Sequence, residues 1–142
     1  MNDLHNNIDT AMVVIPAAIG ANATKSGLVI DRQGYGGVQF IVSYGSVTTT
    51  GTVDTLIVKE GSVTGTLTSV ADGDLIGTEA LASLLAGARV AGTGKEVTKR
   101  IGYKGNKRYV TVDAVGSGVT SAGTVGITAI LHNPALAPVQ NP

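Results

Sequence analysis

The chain has 142 residues, 43% of them hydrophobic and 14% charged, with a formal net charge of zero, which suits one domain burying roughly two-thirds of its unfolded surface. Zero net charge, one Phe and no Trp argue against a nucleic-acid groove, which needs a positive field and exposed rings for stacking. The lack of Cys excludes disulfides, thiolate metal sites and Cys nucleophiles together.

The first stretch, "MNDLHNNIDTAMVVIPAAIGANA", imitates a secretion signal, but Asp3 and Asp9 precede the apolar run and no basic residue appears before Lys25. It is read as mature structure, with residues 1–24 forming an N-terminal arm. No apolar run approaches the roughly 20 residues of a membrane span, and Pro16 interrupts the best one.

Residues 25–131 read as an all-β body. Short apolar runs at Leu28–Asp31, Val38–Tyr44, Val53–Glu60, Thr66–Val70, Val97–Tyr103, Lys107–Ala114 and Thr124–Leu131 are rich in Val and Thr, residues that fit a pleated surface. About seven or eight such strands imply a β-sandwich or jelly roll. Between them, "YGSVTTTGT", "EGSVTGT", "ADGD" and "GSGVTSAGT" are turn material. Thr78–Ala86, "TEALASLLA", differs: Thr78 is an N-cap candidate, helix formers follow, and Gly87 comes after, so a short helix is expected over one end of the sandwich. The tail "HNPALAPVQNP", residues 132–142, with Pro134, Pro138 and Pro142, suits an extended C-terminal arm that does not join the middle of a sheet.

No catalytic constellation emerges. "GARVAGTGKE" lacks the first glycine and the hydroxyl residue of a phosphate loop, because Arg89 and Glu96 occupy those positions. "GYGG" at Gly34–Gly37 reads as a tight turn, His5 and His132 lie far apart in sequence, and Asp72 with Asp74 offers too few oxygens for calcium. No G-x-S-x-G elbow is present. The chain is read as non-enzymatic, without metal or cofactor.

The densest charge lies in "RIGYKGNKRYVTV", Arg100–Val112; with Lys99 it holds five of the ten Lys and Arg residues. Folded as a β-hairpin about a Gly105-Asn106 turn, this stretch places Lys104 opposite Lys107 and Tyr103 opposite Arg108. Ile101, Tyr103, Val110 and Val112 then face the core, with Arg108 over the Tyr103 ring and Tyr109 lying across Gly102. Arg100, Lys104 and Lys107 share the outer face, where like charges directly opposed suit an acidic protein partner. The bland reading is a solvated hairpin tip guarded by lysines.

Three stretches carry a family likeness. "MNDLHNNID" at the start, "RIGYKGNKRYV" late in the body, and His-x-Pro followed by "LAP" in the tail resemble a group of small virion proteins of tailed bacteriophages, whose members lie beside the major capsid protein among virion genes. Asp3, Leu4, Asn7, Ile8 and Asp9 match the first pattern; Arg100, Gly102, Tyr103, Gly105, Lys107, Arg108, Tyr109 and Val110 match the second. Between about residues 45 and 98 the sequence departs from the pattern.

The resemblance implies a structural part with no catalytic residue to transfer. A capsid decoration or cement protein on the phage head fits, binding the major capsid protein and further copies of itself as a homotrimer. Arg100, Lys104, Lys107, Tyr109, His132, Pro134, Leu136 and Pro138 are the candidate contact residues. No membrane association and no direct nucleic-acid contact are expected. The alternatives are a tail or head–tail connector component, or a carbohydrate-binding jelly roll, for which four Tyr, one Phe and no Trp make a poor aromatic platform.

Overall fold

The computed structural model describes residues 3–19, 22–45, 54–83, 97–116 and 124–136. Ten strands form in chain order: β1 (Ile8–Ala18), β2 (Thr24–Lys25), β3 (Ile30–Asp31), β4 (Tyr35–Tyr44), β5 (Asp54–Val63), β6 (Thr66–Ser69), β7 (Leu75–Ile76), β8 (Val97–Tyr103), β9 (Tyr109–Gly116) and β10 (Thr124–Pro134). One short helix, α1 (Glu79–Ala82), lies between β7 and β8. "ADGD" makes a 3-10 turn at Asp72–Asp74. The stretches "YGSVTTTGT" and "GSGVTSAGT" and the glycine-rich loop after the helix fall largely outside the described residues, as does Pro138.

Two antiparallel sheets result, with strand orders β1-β10-β4-β8-β7 and β2-β9-β5-β6, and β3 pairing β9 beside β2. The pairing is nested. The first strand meets the last, β2 and β3 meet β9, β4 meets β8, and β5 meets β6. Rolling such a folded ribbon brings β10 beside β4 and β9 beside β5, which is the jelly-roll form of a β-sandwich.

The alternation in sequence becomes two layers of buried side chains. Val38, Phe40, Val42, Ile101, Tyr103, Val125, Ile127 and Ala129 from one sheet pack on Leu56, Val58, Val110, Val112 and Ala114 from the other, each 1% exposed or less. With a single Phe available, close packing depends on β-branched chains interleaving across the roughly 10 Å between sheets.

Two boundary expectations are corrected. Residues 8–18 are not an arm but an eleven-residue strand of the body, paired to β10 from Ile8↔His132 to Ala18↔Thr124. Its alternation is broken by register shifts between Met12 and Val14 and between Val14 and Ala17, so Val13 and Val14 are both buried. Pro16 is tolerated because β1 is an edge strand. At the other terminus β10 runs on through Pro134, which pairs with Tyr35, and the Ala135 N–H donates to the Gly34 carbonyl (2.8 Å). The expected tail therefore starts inside the sheet.

The expected strand at Leu28–Asp31 begins only at Ile30. The preceding residues fold across β9: the Leu28 N–H donates to the Val13 carbonyl (2.7 Å), Thr111 Oγ1 donates to the Leu28 carbonyl (3.0 Å), and the Gly27 N–H donates to Asp113 Oδ1 (3.1 Å). This segment fastens the β1 edge to the opposite sheet and buries Thr111 and Asp113, which alternation assigned to the outside.

Candidate partner surface at the β8–β9 end

The charged stretch at Arg100–Val112 is not a hairpin. β8 pairs with β4 and β9 with β5, so Lys104–Arg108 crosses from one sheet to the other over the end of the sandwich. A two-residue turn holds its strands about 4.8 Å apart, whereas this crossing spans the gap between layers. The assignment of Ile101, Tyr103, Val110 and Val112 to the interior stands. Their polar neighbours, expected on one shared outer face, are separated: Arg100 lies in the five-stranded sheet, Lys104 and Lys107 on the crossing, and Tyr109 in the other sheet.

Tyr103 organises the crossing. Its ring is buried at 1% exposure, its hydroxyl donates to Glu60 Oε2 from β5, and the same oxygen accepts from the Lys107 N–H (3.0 Å). Gly105 packs directly on the ring, where a Cβ would come within 2.7 Å of three ring and hydroxyl atoms. Arg32 stacks over the ring with its guanidinium carbon 5.3 Å from the centroid. Arg32 Nε donates to the Lys107 carbonyl (2.8 Å) and its backbone N–H to the Arg108 carbonyl (3.0 Å). Arg32 Nη1 is buried without a hydrogen-bond acceptor; the aromatic face beneath the guanidinium offsets part of that cost. Burial, then the Glu60 carboxylate, push the Tyr103 hydroxyl up to about 12.

Two expected contacts are thus replaced. Arg32, not Arg108, covers Tyr103, while Arg108 lies 5.0 Å from the Tyr109 centroid and pairs with Asp31 (Nη2 to Oδ2, 2.6 Å). That guanidinium holds the Asp31 carboxyl below the usual carboxylate range. Ile76 of β7, not Tyr109, lies over Gly102, with Gln39 beside it. Lys104 and Lys107 do not oppose each other in a ladder: the Lys104 N–H donates to the Asp74 carbonyl (2.9 Å) and the Lys107 N–H to the Tyr103 hydroxyl (3.0 Å). The repulsion argument for an acidic partner therefore disappears.

The fold nevertheless gathers most of the candidate residues. Val38↔Tyr103, His132↔Gly37 and Pro134↔Tyr35 lie at one end of the five-stranded sheet, and Asp31↔Tyr109 at the matching end of the other. Lys104, Lys107, Tyr109, His132, Pro134 and Leu136 therefore occupy one end of the sandwich. His132 lies over Gly37, where a Cβ would be 2.5 Å from the ring, and Leu136 is 87% exposed. Arg100 stands apart, paired with Ile41 on the outer face of the sheet. Among the described residues neither the Lys104 nor the Lys107 ammonium has a hydrogen bond or an ion pair, whereas Lys59 is bound to Asp113 (2.6 Å) and Arg108 to Asp31.

Sequence reasoning missed Arg32, Asp31 and Glu60, which brace this end from 43 to 77 positions away. No local pattern marks them, since each belongs to a different strand or turn.

No protein-family model and no curated protein matches the chain. Among solved structures, a chain described as "Bacillus endospore appendages form a novel family of disulfide-linked pili" is similar at 19% identity with a TM-score of 0.42, over 94% of this chain and 97% of that one. That overlap is too loose for fold or function to be transferred.

Proposed function

We propose that this chain is a non-enzymatic virion structural protein, a decoration protein that attaches to a bacteriophage head shell by the β8–β9 end and so adds contacts that free shell subunits lack. One observation carries the proposal: two ammonium groups without partners among the described residues, Lys104 and Lys107, share a braced end with the exposed Leu136. Unpaired cations steer an acidic partner into register, while an exposed leucine supplies apolar area once seated. The likeness to tailed-phage virion proteins in "MNDLHNNID" and "RIGYKGNKRYV" points the same way.

The test is binding of the purified chain to shells stripped of accessory proteins. Lys104→Glu with Lys107→Glu should weaken binding by about tenfold or more at low salt, with the difference shrinking as salt rises. Equal binding by the two proteins would refute the shell contact. A label found at the tail tip or connector instead of across the head would favour the tail or connector reading.

A further inference from the structure

We propose that the outer face of the five-stranded sheet is the contact between two copies of this chain, packed sheet against sheet about a two-fold axis. This surface is separate from the β8–β9 end and does not depend on shell binding.

The register defines the face. One row across it reads Met12, Thr128, Ile41, Arg100; the next reads Thr10, Ile130, Gln39, Gly102, Ile76. Met12 is 46% exposed and Ile76 56%, while Ile41 and Ile130 are partly exposed. Pro16 lies on Gly126 of β10, its Cγ 2.8 Å from where a Cβ would be. An antiparallel sheet with one face in water ordinarily alternates apolar inward with polar and charged outward. Here the outward positions of these two rows alternate isoleucine or methionine with small or neutral polar residues, and Arg100 is their single charge. The other sheet instead carries an ion pair, the partly exposed Lys59 bound to Asp113 beneath the Gly27–Leu28 segment.

Charge and area select a second copy as the occupant. A charged partner would find one cation and nothing to complement the rest, whereas an identical face offers matching apolar rows. Arg100 lies on β8, off the sheet centre, so a two-fold along the strands keeps the two guanidinium groups on opposite sides of the contact. The 41 residues of β1, β10, β4, β8 and β7, at about 3.4 Å of rise and about 4.8 Å between strands, present about 670 Å², close to the about 800 Å² each partner contributes to a standard stable interface. Strand addition is a poor alternative: β1 is bulged and carries Pro16, and β6 and β7 are short.

Sedimentation equilibrium and native mass spectrometry of the free, full chain should give twice the 14.3 kDa subunit, insensitive to high salt because the contact is apolar. Ile41→Lys with Ile130→Lys should yield a folded monomer. Because that pair could also disturb folding, peroxide oxidation of Met12 in the unaltered protein provides a second reading: slow when concentrated, at least several-fold faster on dilution. A monomer, a trimer, a dimer untouched by the double change, or an oxidation rate independent of concentration would each overturn the proposal. A monomer that still binds shells through Lys104 and Lys107 would sink this contact alone. A dimer that binds no shell would sink the attachment reading and leave this one intact.

Discussion

Tyr103 shows how one side chain sets the chemistry of an end. It closes the gap between layers, accepts from the Lys107 amide and donates to Glu60. Because its folded-state pKa is raised to about 12, its contribution is complete below the ordinary tyrosine value of about 10 and is lost as pH rises through the folded value. The loss between those limits is roughly 2–3 kcal/mol. Tyr103→Phe should therefore lower stability at neutral pH by about 1–2 kcal/mol and flatten the decline of denaturant stability between pH 10 and 12. Tyr35, raised chiefly by burial and then by Asp9, should keep some of that slope. Identical alkaline slopes in the two proteins would remove Tyr103 from this role.

The helix α1 does a strand's work. Among the described residues, the edge of β5 beyond the short β6 has no strand neighbour, yet its Val58 N–H donates to Glu79 Oε1 (2.5 Å) and its Leu56 N–H to Ser83 Oγ (2.9 Å). Thr78 caps the helix by accepting from the Leu81 N–H (3.2 Å), and Lys99 holds the far end through the Leu81 and Ser83 carbonyls. A charged acceptor on a strand amide is worth more than a neutral one. Glu79→Ala should cost about 1–2 kcal/mol and speed hydrogen exchange at Val58 while leaving Leu56 protected; unchanged exchange at Val58 would refute the strap. A second element makes a sharper test. Since β1 covers β10 along nearly its whole length, deleting residues 1–18 should abolish cooperative unfolding. A true arm could be removed without that loss.

At the scale of the whole molecule, three different surfaces stand out: an end with Lys104, Lys107 and Leu136, a nearly uncharged sheet face, and a second sheet face with the partly exposed Lys59 bound to the buried Asp113. The first is the proposed shell contact and the second the proposed contact with another copy. Leu136→Asp tests the end without touching the core, because that side chain is 87% exposed. It should reduce shell occupancy several-fold with an unaltered melting temperature. A drop in melting temperature would instead mean that Leu136 packs within the fold.

Much of this architecture could be read from residue order. Short apolar runs placed Val38–Tyr44, Val97–Tyr103 and Thr124–Leu131 in strands, alternation turned Ile101, Tyr103, Val110 and Val112 inward, and "TEALAS" declared its N-cap. Lys104, Lys107 and Tyr109, read on a hairpin, and His132, Pro134 and Leu136, read in a separate tail, come to one end only through the folded strand order. The sequence could not show that β8 and β9 part into different sheets, that β1 belongs to the body, or that Arg32 lies on Tyr103. Side-chain polarity with period two fixes which way a residue faces, and that is a local property. Which strand lies beside which is settled by the nested closure of the whole ribbon, where contacts far apart in sequence outweigh the preference of a short Gly-Asn link for a tight turn.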